Sequence, residues 1–503
     1  MASFEDTSWM AKASRACSRS KPFIKALFIG KGLRARVFRG GAWLGAGSVS
    51  EQSFRFIRNM ILARLLAPSA FGTMAIVMSA ASVLQAFTEM GVKEALIQNP
   101  RGSEPEYVNA AWWMALGRSL SIYALVFAAA PWVARFYGNL ELTALLRVAT
   151  ISIALDGAMS ARAYVAMKEL KFFKWASVWH GGGILGVATT IVLGFFIRDV
   201  WALVIGVCSE SAARCILSYV VCPFLPSVKL DTVALRHLFK FSRGLFGLAP
   251  LSLIFMRADI FVLGKLIPAT ALGYYALGVS VAQVPALFIT GLLGQIFMPA
   301  LSQIQGDKAR TSRIVLQVTE AVVLLGMPAL AFAYFCGRPL LTLIYGHPYA
   351  VAAGPLVIAS CAALISIVNV QITLAFYAAG APKLHRRCVA AMAFVTIIFI
   401  YPLAKWLGPM GAQVVSLLSI AVGFSFQLER ARHLIGLRIS EYGKILIHGA
   451  AVSAIALIVC LVARSLPAVA PPLLTVGLGI FGCLVAYGFA GLMMIRKPGI
   501  VQG

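Results

Sequence analysis

The chain has 503 residues, of which 60% are hydrophobic and 12% are charged, and its formal net charge is +26. Soluble domains carry about 25% charged residues, so this composition excludes an ordinary soluble protein. It predicts an all-α polytopic membrane protein, because each spanning helix needs about 20 largely apolar residues.

Residues 1–40 are polar and basic, with nine Lys or Arg around the short apolar patch PFIKALFIG. The patch is too short and too interrupted by lysine for the apolar core of a signal peptide. We expect a basic cytoplasmic N-terminal segment lying on an anionic membrane leaflet. The alternative is a solvated tail.

Apolar runs follow one another from there to the end of the chain and predict about fourteen transmembrane helices. The runs are 42–66, 70–90, 107–132, 141–166, 172–196, 200–222, 240–264, 270–299, 313–336, 350–377, 387–406, 409–428, 444–464 and 471–495. The expected divisions are a first lobe over 41–222 with six spans, a cytoplasmic linker over 223–239, a second lobe over 240–430 with six spans, and two further spans over 441–495.

The connections between these runs alternate in charge, with an excess of Lys and Arg of about five to one on one side. This bias places both termini in the cytoplasm. It accounts for most of the positive net charge without nucleic acid, and the connections are too short to form a nucleic-acid-binding surface.

The nine cysteines are odd in number and lie mostly within the apolar runs. This placement argues against a disulfide framework, and Cys208, Cys215 and Cys222 are best interpreted as packing residues. No metal site or cofactor is expected.

An internal repeat relates the two lobes at an offset of 201 positions, since LARLLAPSAFGTMA begins at Leu62 and LGKLIPATALGYYA begins at Leu263. The shared pattern is L-x-[RK]-L-[LI]-x-x-x-A-[FL]-G, with Arg64 opposite Lys265. Six spans separate the two copies, so both lie on the same side of the membrane. This predicts two parallel-repeat six-helix bundles with a binding site at their interface.

Charged residues inside the runs are the candidate site residues, because an Arg or Asp at a helix centre costs about 2.5 to 3.5 kcal/mol. Most must therefore face an aqueous cavity, pair with each other or reach the membrane surface. The basic candidates for headgroup binding are Arg55, Arg58, Arg118, Arg162 and Arg257, and the acidic candidates for ion coupling are Asp156, Glu210 and Asp259.

The first run places Glu51, Arg55 and Arg58 on one helix face, where Glu51 can partly neutralise Arg55 and leave Arg58 less compensated. The 201-residue offset sets Arg58 against Asp259, and both are expected to face the axis between the lobes. Glu210 and Arg214 are four residues apart and predict a neutralising pair.

The segment LARLLAPSAFGTMAIVMSAASVLQAFTEMGVKEALIQ (62–98) closely resembles the N-terminal signature of the polysaccharide transporter family, within the multidrug/oligosaccharidyl-lipid/polysaccharide exporter superfamily. RADIFVLGKLIPATALGYYALG (257–278) resembles its counterpart in the second lobe. The resemblance implies a V-shaped pair of helical bundles in a bacterial inner membrane. It implies a flippase, not an enzyme, that translocates polyprenyl-diphosphate-linked oligosaccharide units for surface or extracellular polysaccharide.

Cavity arginines would then bind the diphosphate headgroup, and H⁺ or Na⁺ would drive the return step. The expected partners are membrane lipids and the polysaccharide polymerase or export machinery. Alternatives within the superfamily are a multidrug/cation antiporter and a lipid II-type flippase. A membrane glycosyltransferase, ligase or acyltransferase, and a lipid-binding scaffold, are further alternatives, but the sequence shows neither a sizeable extramembrane loop nor a catalytic His/Asn or Asp pair.

Overall fold

A computed structural model describes residues 33–87, 91–229, 231–244, 248–304, 306–464 and 472–495. Regular structure in these ranges is helical, without a β-strand. The basic N-terminal segment predicted over 1–40 lies outside the described residues as far as position 32.

In the described residues of the first half, nine helices stand where the sequence predicted six spans. They are α1 Leu33–Leu65, α2 Pro68–Phe87, α3 Val92–Gln98, α4 Pro105–Tyr137, α5 Glu141–Ala149, α6 Ile151–Gly157, α7 Arg162–Lys168, α8 Phe172–Ile197 and α9 Val200–Val221.

The run predicted as one span over 141–166 is broken into α5, α6 and α7, with a bend of 56° before α7. Ser160 lies at the break, where its backbone N–H donates to the Ser218 hydroxyl at 2.9 Å and its hydroxyl donates to the Cys222 carbonyl at 2.7 Å. Residues at the end of α9 thus form hydrogen bonds with polar groups that lack helical partners at the break.

The link between the halves contains an amphipathic helix, α10 Thr232–Gly244, that packs against α3 and α4. Asp231 caps it, since its carboxylate accepts from the backbone N–H groups of Ala234 at 3.0 Å and Val233 at 2.7 Å. These bonds lower the pKa of the Asp231 carboxyl. The sequence prediction of a linker over 223–239 did not include this helix.

The second half continues with helices that follow the remaining predicted runs. They are α11 Leu248–Leu266, α12 Ala269–Gln303, α13 Lys308–Tyr345, a 3₁₀ turn His347–Ala352, α14 Ala353–Ala378, α15 Pro382–Ile435, α16 Ile439–Arg464 and α17 Pro472–Ile495. Two predicted spans share α15, which is interrupted at Gly408, where φ is 59° and ψ is −136°. Glycine adopts this backbone conformation without a side-chain penalty.

Among the described residues, nine helices are long and apolar enough to cross a membrane, or ten when the bent α5–α7 set counts as one span. Together with the absence of strands in those ranges, this confirms the predicted all-α polytopic membrane protein. The additional helices α16 and α17 pack against each other and against α13.

The two halves meet where α2 and α12 cross at a pair of glycines. A Cβ atom added to Gly72 would lie 1.9 Å from the carbonyl oxygen of Ala269, and one added to Gly273 would lie 1.8 Å from the carbonyl oxygen of Pro68. Both glycines and their backbone partners are related by the 201-position offset of the repeat. The contact is therefore reciprocal, and it depends on the absence of side chains at both glycines.

The basic position of the repeated pattern makes a second reciprocal contact. Arg64 donates from Nη2 to the backbone carbonyl of Leu343 at 2.6 Å, and the Lys265 ammonium donates to the backbone carbonyl of Phe136. The two acceptors lie in the last turns of α13 and α4, where carbonyl groups lack helical partners and attract positive charge. Each half thus binds a helix end of the other half.

We predict that Gly273→Ala lowers the melting temperature of the purified protein, because its Cβ must displace the Pro68 backbone; overpacking of this kind costs about 1 to 3 kcal/mol. The matched control is Gly117→Ala in α4, where an added Cβ meets nothing within 4 Å. That variant should be neutral or stabilised by up to about 1 kcal/mol from helix propensity. Equal melting temperatures for the two variants would contradict the close crossing.

Candidate functional site

Four charged side chains from α1 and α9 form one buried cluster. Arg55 Nη2 lies 2.8 Å from Glu51 Oε1 and also contacts Glu210 Oε1. Arg214 Nη2 lies 2.5 Å from Glu210 Oε1 and 3.4 Å from Glu51 Oε1. The predicted pairs Glu51–Arg55 and Glu210–Arg214 are confirmed, and the structure joins them into one network between two helices.

Helix α8 completes the cluster from a third side. His180 Nδ1 lies 2.7 Å from Glu51 Oε2, and the Arg214 guanidinium lies 4.2 Å from the centre of the Trp179 ring. Cβ atoms added to Gly183 and Gly186 would lie 2.9 Å from Glu51 Oε1 and 2.4 Å from Glu210 Cβ. The small residues after His180 therefore let charged side chains lie directly on the α8 backbone.

The cluster is balanced, with two carboxylates against two guanidinium groups. Glu51, Glu210 and Arg214 are all less than 9% exposed, so the desolvation of each charge must be offset by its partners. We therefore interpret the cluster as a structural tie between α1, α8 and α9. Sequence spacing alone revealed the pairs within each helix but not the contacts between helices.

Arg58 lies one turn beyond Arg55 on α1 and differs from it in its partners. Within the part of the chain that the structure describes, its guanidinium donates to the side-chain oxygen of the adjacent Asn59, at 3.1 and 3.2 Å. Among the described residues no carboxylate lies within ion-pair distance, 4.0 Å, of Arg58. Arg58 is thus half-buried and less compensated than Arg55, as predicted from the pairing of Glu51 with Arg55, although the Glu210 carboxylate attracts it at longer range.

Asp156 on α6 and Arg118 on α4 each carry an unsatisfied buried atom. Within the described part of the chain, Asp156 Oδ1 and Arg118 Nε have no hydrogen-bond partner. Asp156 interacts electrostatically with Glu210 and Arg214, so it adjoins the buried cluster. Buried polar atoms are rarely left without a partner, and such groups mark candidate positions for a bound ligand, ion or water.

Arg162 takes a different position, exposed at the start of α7. Its Nη1 donates to the carbonyl of Pro223 at 3.2 Å, and the residue lines a surface cavity beside the end of α9. Sequence reasoning grouped Arg162 with the cavity arginines because the predicted span over 141–166 was continuous. The break before α7 places Arg162 at a helix end instead.

In the second half, Asp259 is bound within its own group of helices. The Tyr275 hydroxyl donates to Asp259 Oδ2 at 2.5 Å and accepts from Gln413 Nε2 at 2.5 Å. Arg257, two residues earlier on α11, is exposed. Asp259 therefore has its hydrogen-bond partners within its own half of the chain.

These features define a class of protein: a multi-pass helical membrane protein with two repeated halves joined by reciprocal contacts, and with charge buried inside its helices. Residues 61–354, more than half of the chain, match the family described as "Polysaccharide biosynthesis protein". The chain belongs to this family, and the predicted resemblance to polysaccharide transporters is confirmed.

Three curated relatives are named as proteins of polysaccharide biosynthesis or transport. The chain is 22% identical over 319 residues to the succinoglycan biosynthesis transport protein ExoT of Rhizobium meliloti (strain 1021), covering 63% of this chain and 64% of that protein. It is 20% identical to the lipopolysaccharide biosynthesis protein WzxC of Escherichia coli (strain K12), covering 63% and 65%, and 21% identical to the teichuronic acid biosynthesis protein TuaB of Bacillus subtilis (strain 168), covering 57% and 59%. The matched part thus spans less than two thirds of each relative's length.

Two solved structures share the fold. The lipid II flippase MurJ, in an inward closed conformation, superposes with a TM-score of 0.72 at 14% identity, covering 90% of this chain and 99% of that chain. An inward-facing multidrug resistance transporter of the MATE family gives a TM-score of 0.57 at 13% identity, covering 76% and 95%. At these identities the likeness establishes the fold alone.

We predict that Glu51→Gln strongly destabilises the protein, because it leaves Arg55 and Arg214 with one carboxylate between them. Breaking a buried ion pair costs about 3 to 5 kcal/mol. The control is Glu104→Gln, which breaks the exposed Arg101–Glu104 pair and should cost at most about 1 kcal/mol. Melting temperatures in detergent measure both, and equal shifts would contradict the structural role of the cluster.

Proposed function

We propose that this protein flips polyprenyl-diphosphate-linked oligosaccharide units across a bacterial inner membrane for surface or extracellular polysaccharide. Membership of the polysaccharide biosynthesis family supports the proposal, as do the transport and biosynthesis names of its relatives. The observation that carries it is Arg58, a cation without an acidic partner among the described residues of a membrane-protein interior.

The chemistry of the substrate explains why such a cation is useful. A diphosphate headgroup cannot enter the hydrocarbon core without compensation of its negative charge. A guanidinium group offers several N–H donors in a fixed geometry that matches phosphate oxygens. Arg58, with Arg118 in the same half and Arg257 in the second half, would bind the headgroup, while the prenyl tail remains in the lipid.

Movement of the two halves would carry the headgroup across. We propose about fourteen spans in two six-helix bundles around a V-shaped cavity, with α16 and α17 added and both termini in the cytoplasm. The reciprocal contacts at Gly72 and Gly273 join α2 and α12 at one end, which on this topology is the periplasmic end. If the cavity opens at the periplasmic end and closes at the cytoplasmic end, the headgroup becomes exposed to the periplasm. This is alternating access, and it involves no enzymatic chemistry.

A coupling ion would reset the protein after release. We propose H⁺ or Na⁺ at Asp156, because this carboxylate adjoins the ion cluster and has an oxygen without a partner among the described residues. Glu210 and Asp259 are weaker candidates, since each already binds neighbouring side chains. The test is whether an imposed ion gradient still drives flipping by the Asp156→Asn variant. If it does, Asp156 is excluded from this role.

The runner-up function is a multidrug/cation antiporter, which the shared fold with the MATE-family transporter supports. A lipid II-type flippase is supported in the same way by MurJ. An antiporter for cations favours acidic or aromatic cavity walls, whereas Arg58 is positive and forms no ion pair with a described residue. Accumulation of a cationic dye in cells with and without the protein distinguishes the antiporter, and assays with defined lipid-linked substrates distinguish the two flippases.

We predict that Arg58→Ala and Arg257→Ala each abolish polysaccharide export while protein levels stay normal. Arg58→Lys should retain partial export, because it keeps the charge and loses the fork of N–H donors. The matched control is Arg135→Ala, an exposed arginine near the end of α4, which should export normally. Polymer released by cells that lack the native gene is the measurement, and wild-type export by both alanine variants would overturn the cationic site.

A further inference from the structure

A second polar cavity lies outside the central charges, between α13 and α16. It encloses about 480 Å³ and is lined by Arg313, Gln317 and Glu320 of α13, by Arg438 of the preceding connection, and by Lys444 and His448 of α16, among others. The first-half cluster contributes no residue to this lining, so the cavity is a separate feature.

The acidic groups in this cavity already have basic partners. Glu320 Oε1 lies 3.4 Å from His448 Nδ1, and Glu441 Oε1 lies 2.9 Å from Lys444 Nζ. Arg313 and Arg438, in contrast, form no ion pair with any residue that the structure describes. Among the described residues that line the cavity, three permanent cations therefore face two carboxylates, an excess of one positive charge.

The cavity lies at the depth of lipid headgroups on the proposed topology. Arg313 is five positions after Lys308, where α13 begins, which is about 7.5 Å along the helix. Arg438 directly precedes α16, which begins at Ile439. Both helices begin at the cytoplasmic end, where the sequence concentrates positive charge. An anionic group in the cytoplasmic leaflet can therefore reach both arginines.

We propose that this cavity binds the phosphate of a lipid headgroup from the cytoplasmic leaflet. Two guanidinium groups without acidic partners match the geometry and charge of phosphate oxygens, and the Gln317 side chain adds a polar group to the same wall. The shared chemistry is a lipid phosphate in a headgroup of net negative charge, and two sources supply it: an anionic phospholipid or a polyprenyl phosphate. This inference rests on the proposed topology but not on the proposed transport function, because a lipid can occupy the cavity whether or not the protein flips oligosaccharide units.

Binding to the purified full-length protein tests the proposal. After delipidation in detergent, native mass spectrometry and thermal shift would compare phosphatidylglycerol, a polyprenyl phosphate, phosphatidylcholine and inorganic phosphate. The test variant is Arg313→Ala with Arg438→Ala. The matched control is Arg386→Ala with Arg432→Ala, which removes two exposed arginines from the same end of the molecule without touching this cavity.

We expect one of the two anionic lipids to bind the wild type and the control, and to bind the test variant at least tenfold more weakly. Phosphatidylglycerol binding identifies a phospholipid site, whereas preference for the polyprenyl phosphate identifies a carrier-lipid site. Equal binding by test and control variants would overturn the proposal, as would equal binding of phosphatidylcholine or binding of inorganic phosphate alone. Arg438→Gln alone, at an exposed position outside the helices, keeps the test valid if the double variant does not fold.

Discussion

The close crossing of α2 and α12 at Gly72 and Gly273 fixes how the two halves of this protein meet. Each glycine lies against a backbone carbonyl of the other half, and the contact is reciprocal because the two sequences are repeats. Arg64 and Lys265 repeat this relation at the ends of α13 and α4. The same contact occurs twice, once from each half, because both halves carry the repeated pattern. The joint between them is therefore symmetrical although it forms within a single chain.

Buried charge has two separate roles around this joint. Glu51, Arg55, Glu210 and Arg214 neutralise one another and tie α1 to α8 and α9. That balance leaves Arg58 as the nearby charge without an acidic partner among the described residues. A neutral cluster on the same helix as a cation without an ion-pair partner suits the binding of an anionic headgroup, because the cluster carries no net charge that would oppose it.

Sequence periodicity predicted the helical class, the repeat offset and the ion pairs within single helices, because these depend on local spacing. It did not predict the contact of Arg55 with Glu210, nor that of His180 with Glu51, since these join helices far apart in the chain. It treated Arg162 as a cavity residue because hydropathy does not reveal the break at Ser160. It did not predict that Arg64 donates a hydrogen bond to a backbone carbonyl of the other half.

The proposed transport cycle requires the two halves to move apart at the Gly72–Gly273 end. It can be tested in a cysteine-free background with Arg64→Cys and Leu343→Cys, joined across the halves by a short cleavable thiol reagent. The measurement is flipping of a labelled lipid-linked oligosaccharide in reconstituted vesicles, with each single-cysteine variant as control. We predict that cross-linking stops flipping and that reduction restores it. Flipping at the uncross-linked rate while the link is intact would contradict it.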